Sequence, residues 1–495
     1  MALSVCVIGA GIGGLTAGAY LAKYGYKVTV LEKAATVGGS AGFYVRKGRV
    51  FPTGATIAFG LEQNGLLRNM LDELDINVPA VELSHPMDVI LPDRQISIFK
   101  DPIRWEEELR RKFPDRSKDI LRFWYELTRI SQNVHALVDT RLSLPIRRYY
   151  DLGDLPKYAV THSLSLLYLV RYSRWTVEDL MRKYRVEKVV PLRQFLNAQL
   201  IDAVQTNVSQ AALLPSSLAL TIYRKGSFCF ENGIAQMSQS LADRIKELGG
   251  DILLSSPVRT IRRNNMKNEW DVDSLKCTSS FSIVINNTGI SFGAGTSHIE
   301  NQDLSWGAFR VDAIVKDEVL QGKLKDIKLP FAYQIVPDST RSKFLKDEKG
   351  PLYVTFQRSI DQNGLPAAGE IVMTASIHTN PKDWFSCSKK DYKWKKEQLI
   401  NEILSEIEKL LPVKGHLLHI DAGTPLTYKK FIGKAEVGGY PLTIENAIVK
   451  QRSIRTSAPK MYIVGEQAFP GPGTLSSAMS GYFAARAILK EHPNQ

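Results

Sequence analysis

The sequence contains little cysteine, and its four cysteines lie far apart. Cys6, Cys229, Cys277 and Cys387 are the only ones in 495 residues, and no two of them have CxxC spacing. This distribution argues against a disulfide framework and against a structural zinc site, while reduced thiols fit a cytoplasmic setting. We therefore predict a cytoplasmic protein without a metal site.

Long hydrophobic runs and acidic residues are also scarce. No uninterrupted stretch approaches the ~20 apolar residues that a membrane-spanning helix needs. The apolar start, residues 2–8, lacks a basic leader and continues directly into glycines, so we interpret it as a β-strand and not as a signal peptide. Acidic residues number 51 against 64 basic ones, a net charge of +13, but the basic residues are dispersed and predict no nucleic-acid partner.

A glycine motif follows the first predicted strand, Ser4–Ile8. Residues 9–14 read GAGIGG and satisfy G-x-G-x-x-G, a helical pattern follows, and a second predicted strand, Lys27–Leu31, ends in Glu32. Such a loop permits a tight turn, close approach of a pyrophosphate and close packing of helix on strand. The pyrophosphate then meets the helix N-terminus, and the carboxylate accepts hydrogen bonds from ribose hydroxyls.

A second glycine segment decides which dinucleotide is expected. Residues 38–42 read GGSAG and residues 51–54 read FPTG, which suits a loop lying along an extended FAD better than a nicotinamide domain. Here the chain resembles the superfamily of FAD-dependent amine oxidases and carotenoid/phytoene desaturases. It is most similar to the branch of carotenoid isomerases, carotenoid desaturases and oxidases, and retinol saturase. That branch has F-D-x-G where this chain has Pro52, so any contact of the family's Asp must be absent or replaced.

The resemblance returns near Tyr223 and at the C-terminus, as in a discontinuous domain. It implies an α/β fold: a Rossmann-type FAD-binding domain with an inserted α+β substrate domain. The implied FAD-binding parts are residues 1–85, 223–299 and 456–495. The implied substrate parts are residues 86–222, which also associate with the membrane, and residues 300–455.

The motifs and the resemblance together imply a set of cofactor-binding residues but no catalytic residue. The resemblance implies that the backbone of Val258 contacts the adenine and that Glu466 accepts a hydrogen bond from a ribityl hydroxyl. It also implies that the amides after Gly473 face the flavin ring. No titratable group stands out as a general base. The predicted FAD-binding residues are Gly9, Gly11, Gly13, Gly14, Glu32, Lys33, Gly38, Gly39, Ser40, Thr53, Gly54, Val258, Gly465, Glu466, Gly473, Thr474 and Leu475.

One stretch, residues 147–188, interleaves aromatic and basic residues around a leucine-rich centre, residues 164–170. This composition is typical of an interfacial helix that dips into anionic lipid. The alternative is a helix of the substrate domain whose leucines are core. We expect a cytoplasmic protein that binds an anionic membrane surface peripherally.

The resemblance implies an FAD-dependent oxidoreductase that acts on an apolar, carotenoid-type polyisoprenoid by desaturation, isomerisation or oxidation. Two alternatives stay open. One is oxidation of an amine or a porphyrinogen on the same fold. The other is a flavin-free isoprenoid-binding protein, because the Rab GDP-dissociation inhibitors share the fold without flavin.

Overall fold

The computed structural model describes residues 2–292, 306–321, 327–338, 345 and 349–494. The strands are β1 Ser4–Ile8, β2 Lys27–Leu31, β3 Phe43–Arg46, β4 Arg49–Pro52, β5 Ala80–Glu82, β6 Met87–Ile90, β7 Gln95–Ile98, β8 Phe228–Phe230, β9 Asp251–Leu253, β10 Val258–Asn264, β11 Glu269–Ser274, β12 Thr278–Phe281, β13 Ile283–Asn286, β14 Gly307–Lys316, β15 Phe331–Ile335, β16 Lys349–Ile360, β17 Pro366–Thr379, β18 Leu417–Gly423 and β19 Met461–Ile463. The α-helices are α1 Ile12–Lys23, α2 Leu66–Glu73, α3 Pro102–Lys112, α4 Ser117–Asp139, α5 Leu155–Thr161, α6 Ser163–Tyr172, α7 Val177–Lys183, α8 Val190–Val204, α9 Leu213–Lys225, α10 Ala235–Glu247, α11 Pro381–Phe385, α12 Lys389–Glu408, α13 Pro425–Phe431 and α14 Thr474–Glu491.

A five-stranded parallel sheet has the order β19-β13-β1-β2-β9. Its strands are short apolar runs, because helices cover a parallel sheet on its faces. The helices α1, α10 and α14 pack together on this sheet. The strands come from three separate stretches of chain, which confirms the predicted α/β fold with a discontinuous Rossmann-type domain.

The second large sheet is mixed and has seven strands, in the order β18-β14-β17-β16-β15-β6-β7. Paired residues show that its two faces differ in chemistry. Phe331 lies opposite Phe356, and Tyr333 opposite Val354, on an apolar face that packs against buried side chains of α12. Gln334 lies opposite Tyr353 on the other face, which we call the polar face.

Helices α3 to α9 form a helical layer beside strands β6 and β7 of the seven-stranded sheet. Tryptophan, leucine and phenylalanine side chains from α3, α4 and α8 fill its core. The predicted domain boundary between residues 222 and 223 falls inside α9, which runs without a break from Leu213 to Lys225. The helical layer and the returning segment of the parallel-sheet domain therefore share one helix.

The stretch 147–188 is not the single interfacial helix that its composition suggests. The chain forms a 3-10 turn at Tyr149–Leu152 and then three separate helices, α5, α6 and α7. Its second half is also not an apolar surface, because Tyr172 is 1% exposed and Lys183 pairs with Glu126 at 3.0 Å. Only the part up to α6 keeps apolar side chains in solvent.

Candidate functional site

The glycine loop lies between β1 and α1, where Gly9 has φ of 93° and donates its N–H to the Leu31 carbonyl at 2.8 Å. A Cβ on Gly14 would lie 2.4 Å from the Gly9 carbonyl oxygen, so only glycine lets α1 approach the loop this closely. Gly11 is the N-cap residue of α1 and has no side chain that could bond to the first N–H groups of the helix. The first N–H groups of α1 therefore have no side-chain cap, which leaves them able to bind an anion.

Asn287, directly after β13, fastens this loop to the C-terminal strand. Its side-chain Nδ2 donates to the Gly9 carbonyl at 3.1 Å. Cβ atoms on Gly11, Gly13 or Gly465 would each come within 3 Å of the Asn287 amide. Sequence reasoning placed this residue on a returning strand and missed its contacts, which no local pattern reveals.

Glu32 lies half-buried at the carboxyl end of β2. Its two carboxylate oxygens accept from the backbone N–H groups of Ala10, at 2.6 Å, and Ala34, at 2.7 Å. Burial raises the pKa of Glu32. Each oxygen keeps capacity for another donor, so the side chain is fixed and still able to bind hydroxyl groups. The neighbouring Lys33 is exposed, and its Nζ lies 3.5 Å from the Lys429 carbonyl oxygen.

The second glycine segment packs directly on the first. Gly38 has φ of 108° and donates its N–H to the Ala10 carbonyl at 2.7 Å. Thr53 ties the segment together, because its Oγ1 accepts from the Gly42 N–H at 3.1 Å and donates to the Gly39 carbonyl at 2.5 Å. A Cβ on Gly54 would lie 2.8 Å from the Ser40 carbonyl oxygen, so these predicted residues form one compact loop cluster.

The later predicted residues reach the same edge of the parallel sheet. Val258 begins β10, two residues after Ser256, whose N–H donates to the Glu32 carbonyl at 2.7 Å. Glu466 follows β19 and forms an ion pair with Lys434, a contact that the sequence does not reveal. Gly473, with φ of 102°, precedes α14, and Thr474 and Leu475 form its first turn.

These features together fit a dinucleotide. Cβ atoms would fill the cradle of glycines, the N-terminus of α1 is uncapped, and a fixed carboxylate stands at the end of β2. The glycine cradle and the uncapped N-terminus of α1 suit an anionic pyrophosphate, and the carboxylate suits ribose hydroxyls. The assignment of individual residues to the cofactor stays a prediction.

A buried ion pair contacts the backbone of Pro52, the residue that stands where the family has Asp. Arg310 donates through Nε to Asp312 at 2.7 Å and through a guanidinium nitrogen to the carbonyl of Pro52. Tyr44 donates to the other oxygen of Asp312 at 2.6 Å. We call Arg310, Asp312 and Tyr44 the Arg310 cluster. Its carboxylate comes from β14, and whether it replaces the contact of the family's Asp stays a prediction.

The polar face also holds a second group of buried polar side chains. Asp202 on α8 accepts from Gln334 on β15, and its Oδ1 lies 3.7 Å from Nδ1 of His378 on β17. Burial raises the pKa of Asp202 to about 7. The sequence shows no such group, because the residues lie up to 176 positions apart (378 − 202). The alternation of polar with apolar residues along Thr374–His378 is the one local signal of this face.

The comparisons with known proteins agree with this architecture. The profile of an NAD(P)-binding Rossmann-like domain matches residues 7–74. The chloroplastic prolycopene isomerase of Daucus carota is 25% identical over 98% of this chain and 80% of its own. The all-trans-retinol 13,14-reductase of Danio rerio is 25% identical over 94% of this chain and 82% of its own.

The chain is a homologue of these two groups of enzymes. The resemblance predicted from the sequence is therefore confirmed. Among solved structures, wild-type putrescine oxidase bound to putrescine superposes with a TM-score of 0.62 at 13% identity, over 99% of this chain and 100% of its own. At that identity the superposition supports the fold alone.

Proposed function

We propose that the protein is an FAD-dependent oxidoreductase that acts on a carotenoid-type polyisoprenoid. The observation that carries this proposal is the nearly full-length homology to enzymes named for prolycopene and for retinol, both conjugated isoprenoids. The intact glycine cradle and Glu32 support the cofactor. Desaturation, isomerisation and oxidation all remain reactions of the proposed class.

The chain offers each part of FAD a suitable group. The loop at residues 9–14 and the start of α1 would hold the pyrophosphate, Glu32 the adenosine ribose, and Gly465 to Leu475 the ribityl chain and ring. When bound, FAD supplies hydride exchange at N5 of its ring. The protein aligns the substrate with that atom and excludes water, and the helix N-terminus at Thr474 favours negative charge on the ring.

Two measurements test this proposal. Denatured protein should release a flavin that comigrates with FAD, and polyisoprenoids in liposomes should be converted or should bleach the flavin anaerobically. If all polyisoprenoids are inert while a primary or secondary amine or a porphyrinogen reduces the flavin, the substrate class is wrong. A colourless protein that cannot be reconstituted would favour the flavin-free binding protein.

We further propose that the protein binds an anionic membrane surface from one side. Among the described residues no helix combines the length and the apolar character that crossing a bilayer requires. The helices α5 and α6 instead expose apolar side chains to solvent. These side chains are Val160, 84% exposed, Leu164, 79%, Leu167, 66%, and Val170, 67%. We call these four residues the apolar patch.

Exposed basic side chains flank the apolar patch in the sequence. Arg147, Arg148, Lys157, Arg171 and Arg174 are all exposed, and none forms an ion pair with another described residue. Each cation near an anionic lipid surface contributes about 1 kcal/mol to binding. Exposed apolar residues accompanied by exposed basic ones match anionic lipid, whereas a partner protein would need acidic groups that pair with these cations. A substrate dissolved in lipid also has to be collected there.

Liposome flotation tests the membrane proposal. Leu164→Asp with Leu167→Asp should reduce binding to anionic vesicles at least ~10-fold, since two exposed leucines that lipid would cover are lost and two negative charges are added. Leu365→Asp is the matched control, because Leu365 is 63% exposed and lies on the β16–β17 hairpin. Wild-type protein that fails to float with anionic and neutral vesicles alike would disprove the proposal.

A further inference from the structure

Four buried or half-buried side chains meet on the polar face of the seven-stranded sheet. They are Asp202, Gln334, His378 and Tyr353, and we call them the Asp202 cluster. Gln334 donates from its amide to Asp202 and, at 3.2 Å, to the Ala198 carbonyl, so the carboxyl has a fixed position. Gln199 in turn donates to Gln334. Asp202 therefore has a neutral amide as its donor, and among the described residues no lysine or arginine is bonded to it.

From its exposure and its burial together we infer an internal space beside the carboxyl of Asp202. About a third of its side chain, 30%, is open to a water-sized probe. Burial nevertheless raises its pKa to about 7 and lowers the pKa of His378 to about 4. Open surface combined with strong desolvation means that the side chain borders an enclosed gap rather than bulk water. An apolar molecule in that gap would lie against the carboxyl.

This gap adjoins the segment that leads to the cofactor site. Tyr353 makes a hydrogen bond with Thr56, three residues after Thr53. Four residues further, the Leu475 side chain lies 3.1 Å from the Cβ position of Gly60. Phe59 packs edge-on against Tyr223, with ring centroids 5.4 Å apart. The cluster and the predicted ring-binding residue Leu475 thus flank the same stretch of chain, residues 53–60.

We propose that Asp202 is a catalytic residue that exchanges a proton with the polyisoprenoid, and that Gln334 and His378 are its positioning residues. The inference rests on the proposed function and extends it to the chemistry at the substrate. In the reducing direction, the Asp202 O–H bond breaks and its proton forms a C–H bond with the π electrons of one double bond. The neighbouring carbon accepts a hydride from reduced flavin, which is thereby oxidised by two electrons, and Asp202 is left as carboxylate.

The reverse sequence desaturates the chain: the carboxylate removes a proton as the adjacent hydride leaves to oxidised flavin. An acid near neutral pKa can serve both directions, because both of its forms are populated at the working pH. The titratable groups that face Asp202 are His378, Tyr353 and Tyr223, and burial raises the pKa of both tyrosines and lowers that of His378. None of these three side chains carries a charge at neutral pH that would change the protonation of Asp202.

Infrared titration of the flavin-loaded protein tests the acid without relying on turnover. We expect a carboxylic C=O band that persists above about pH 5, disappears near pH 7, and is missing in Asp202→Asn. A band that is the same in wild type and Asp202→Asn, or no such band above pH 5, would overturn the inference. The FAD content should be the same in wild type and in Asp202→Asn. A wild-type protein that holds no flavin would count against the proposed function instead.

Turnover in D2O supplies the second test. Asp202→Asn should slow deuterium transfer at the polyisoprenoid ~100-fold or more, which is the usual contribution of a positioned acid or base. Asp202→Glu should recover part of the rate with a shifted pH profile, a change that a purely structural role would not produce. Asp139→Asn is the control, because burial also raises the pKa of that carboxyl, which ends α4. Transfer within threefold of wild type in Asp202→Asn would refute the role.

Discussion

The Arg310 cluster and the Asp202 cluster occupy the same polar face but solve the burial of a carboxyl differently. Asp312 is bonded to the guanidinium of Arg310 at 2.7 Å and to the Tyr44 hydroxyl at 2.6 Å. Asp202 has the amide of Gln334 instead. A buried carboxyl paired with a cation stays charged, whereas one paired with a neutral donor keeps or loses its proton near neutral pH.

This difference distinguishes Asp312, which stabilises the fold, from Asp202, for which we propose proton exchange with the substrate. The Arg310 cluster joins β14 to the hairpin β3–β4 through the Pro52 carbonyl, so its charges hold two parts of the fold together. The Asp202 cluster joins α8 to three strands and leaves surface open to a gap. We therefore expect mutations in the first cluster to change stability, and mutations in the second to change pH dependence and turnover.

The largest effect is expected when the cation of the structural cluster is removed. Arg310→Met should lower the free energy of unfolding by about 3–5 kcal/mol, because Asp312, 6% exposed, would be left buried without its cationic partner. Chemical denaturation measures this loss. The double variant Arg310→Met with Asp312→Leu should recover much of it, since no lone charge remains. Equal losses in the single and double variants would contradict the ion-pair explanation.

The next effect concerns the sign of the pH dependence. The pKa of Asp202 rises from 3.8 to about 7 on folding, so its contribution to stability falls as pH rises through that window. The pKa of His378 falls from 6.5 to about 4, so its contribution grows as pH rises between those values. In wild type the two slopes oppose each other between about pH 4 and 6.5.

Single substitutions should separate these slopes. In Asp202→Asn the free energy of unfolding should rise by roughly 1–3 kcal/mol from about pH 4 to 6.5, and in His378→Gln it should fall over the same range. Denaturation curves at several pH values measure both slopes. Slopes of the same sign in the two variants would show that the residues do not titrate as the structure indicates.

The parallel-sheet domain was predictable because its information is local. The predicted strands Ser4–Ile8 and Lys27–Leu31 have the same bounds as β1 and β2, since each apolar run ends directly at a glycine loop or an acidic residue. The C-terminal helix α14 begins at Thr474, directly after the predicted Gly473. Motif and element coincide there, so residue spacing alone specifies where the loop lies.

The polar face was not predictable because its partners come from distant segments. Asp202 and His378 lie on different elements and meet only when α8 packs over the sheet. Lys434 and Glu466, and likewise Arg310 and Pro52, also lie on separate elements and come into contact only in the folded protein. Charged residues in one sequence give no sign of which opposite charge they will meet, so the sequence suggested a site without acid or base.

A third carboxyl, Glu32, extends the comparison to one that backbone N–H groups hold in place. Glu32→Ala should weaken FAD binding by roughly 1–3 kcal/mol, the cost of losing hydrogen bonds to charged oxygens. Flavin titration of the apoprotein measures the change. Glu445→Ala, at a side chain 84% exposed, is the matched control. Wild-type affinity in Glu32→Ala would contradict the assignment of this residue, and Gly11→Val should bind less FAD than either variant.

The smallest effect tests whether the Arg310 cluster depends on its cation or on its hydrogen bonds. Tyr44→Phe removes one donor to Asp312 but keeps the ring stacked on Phe51, with centroids 5.4 Å apart. Because Arg310 still neutralises the carboxylate, the free energy of unfolding should fall by only about 1 kcal/mol. Denaturation of this variant beside Arg310→Met measures the ratio. A loss as large as that of Arg310→Met would mean that the tyrosine hydroxyl, and not the guanidinium, keeps Asp312 buried, and the contrast between the two clusters would then rest on hydrogen bonding rather than on charge.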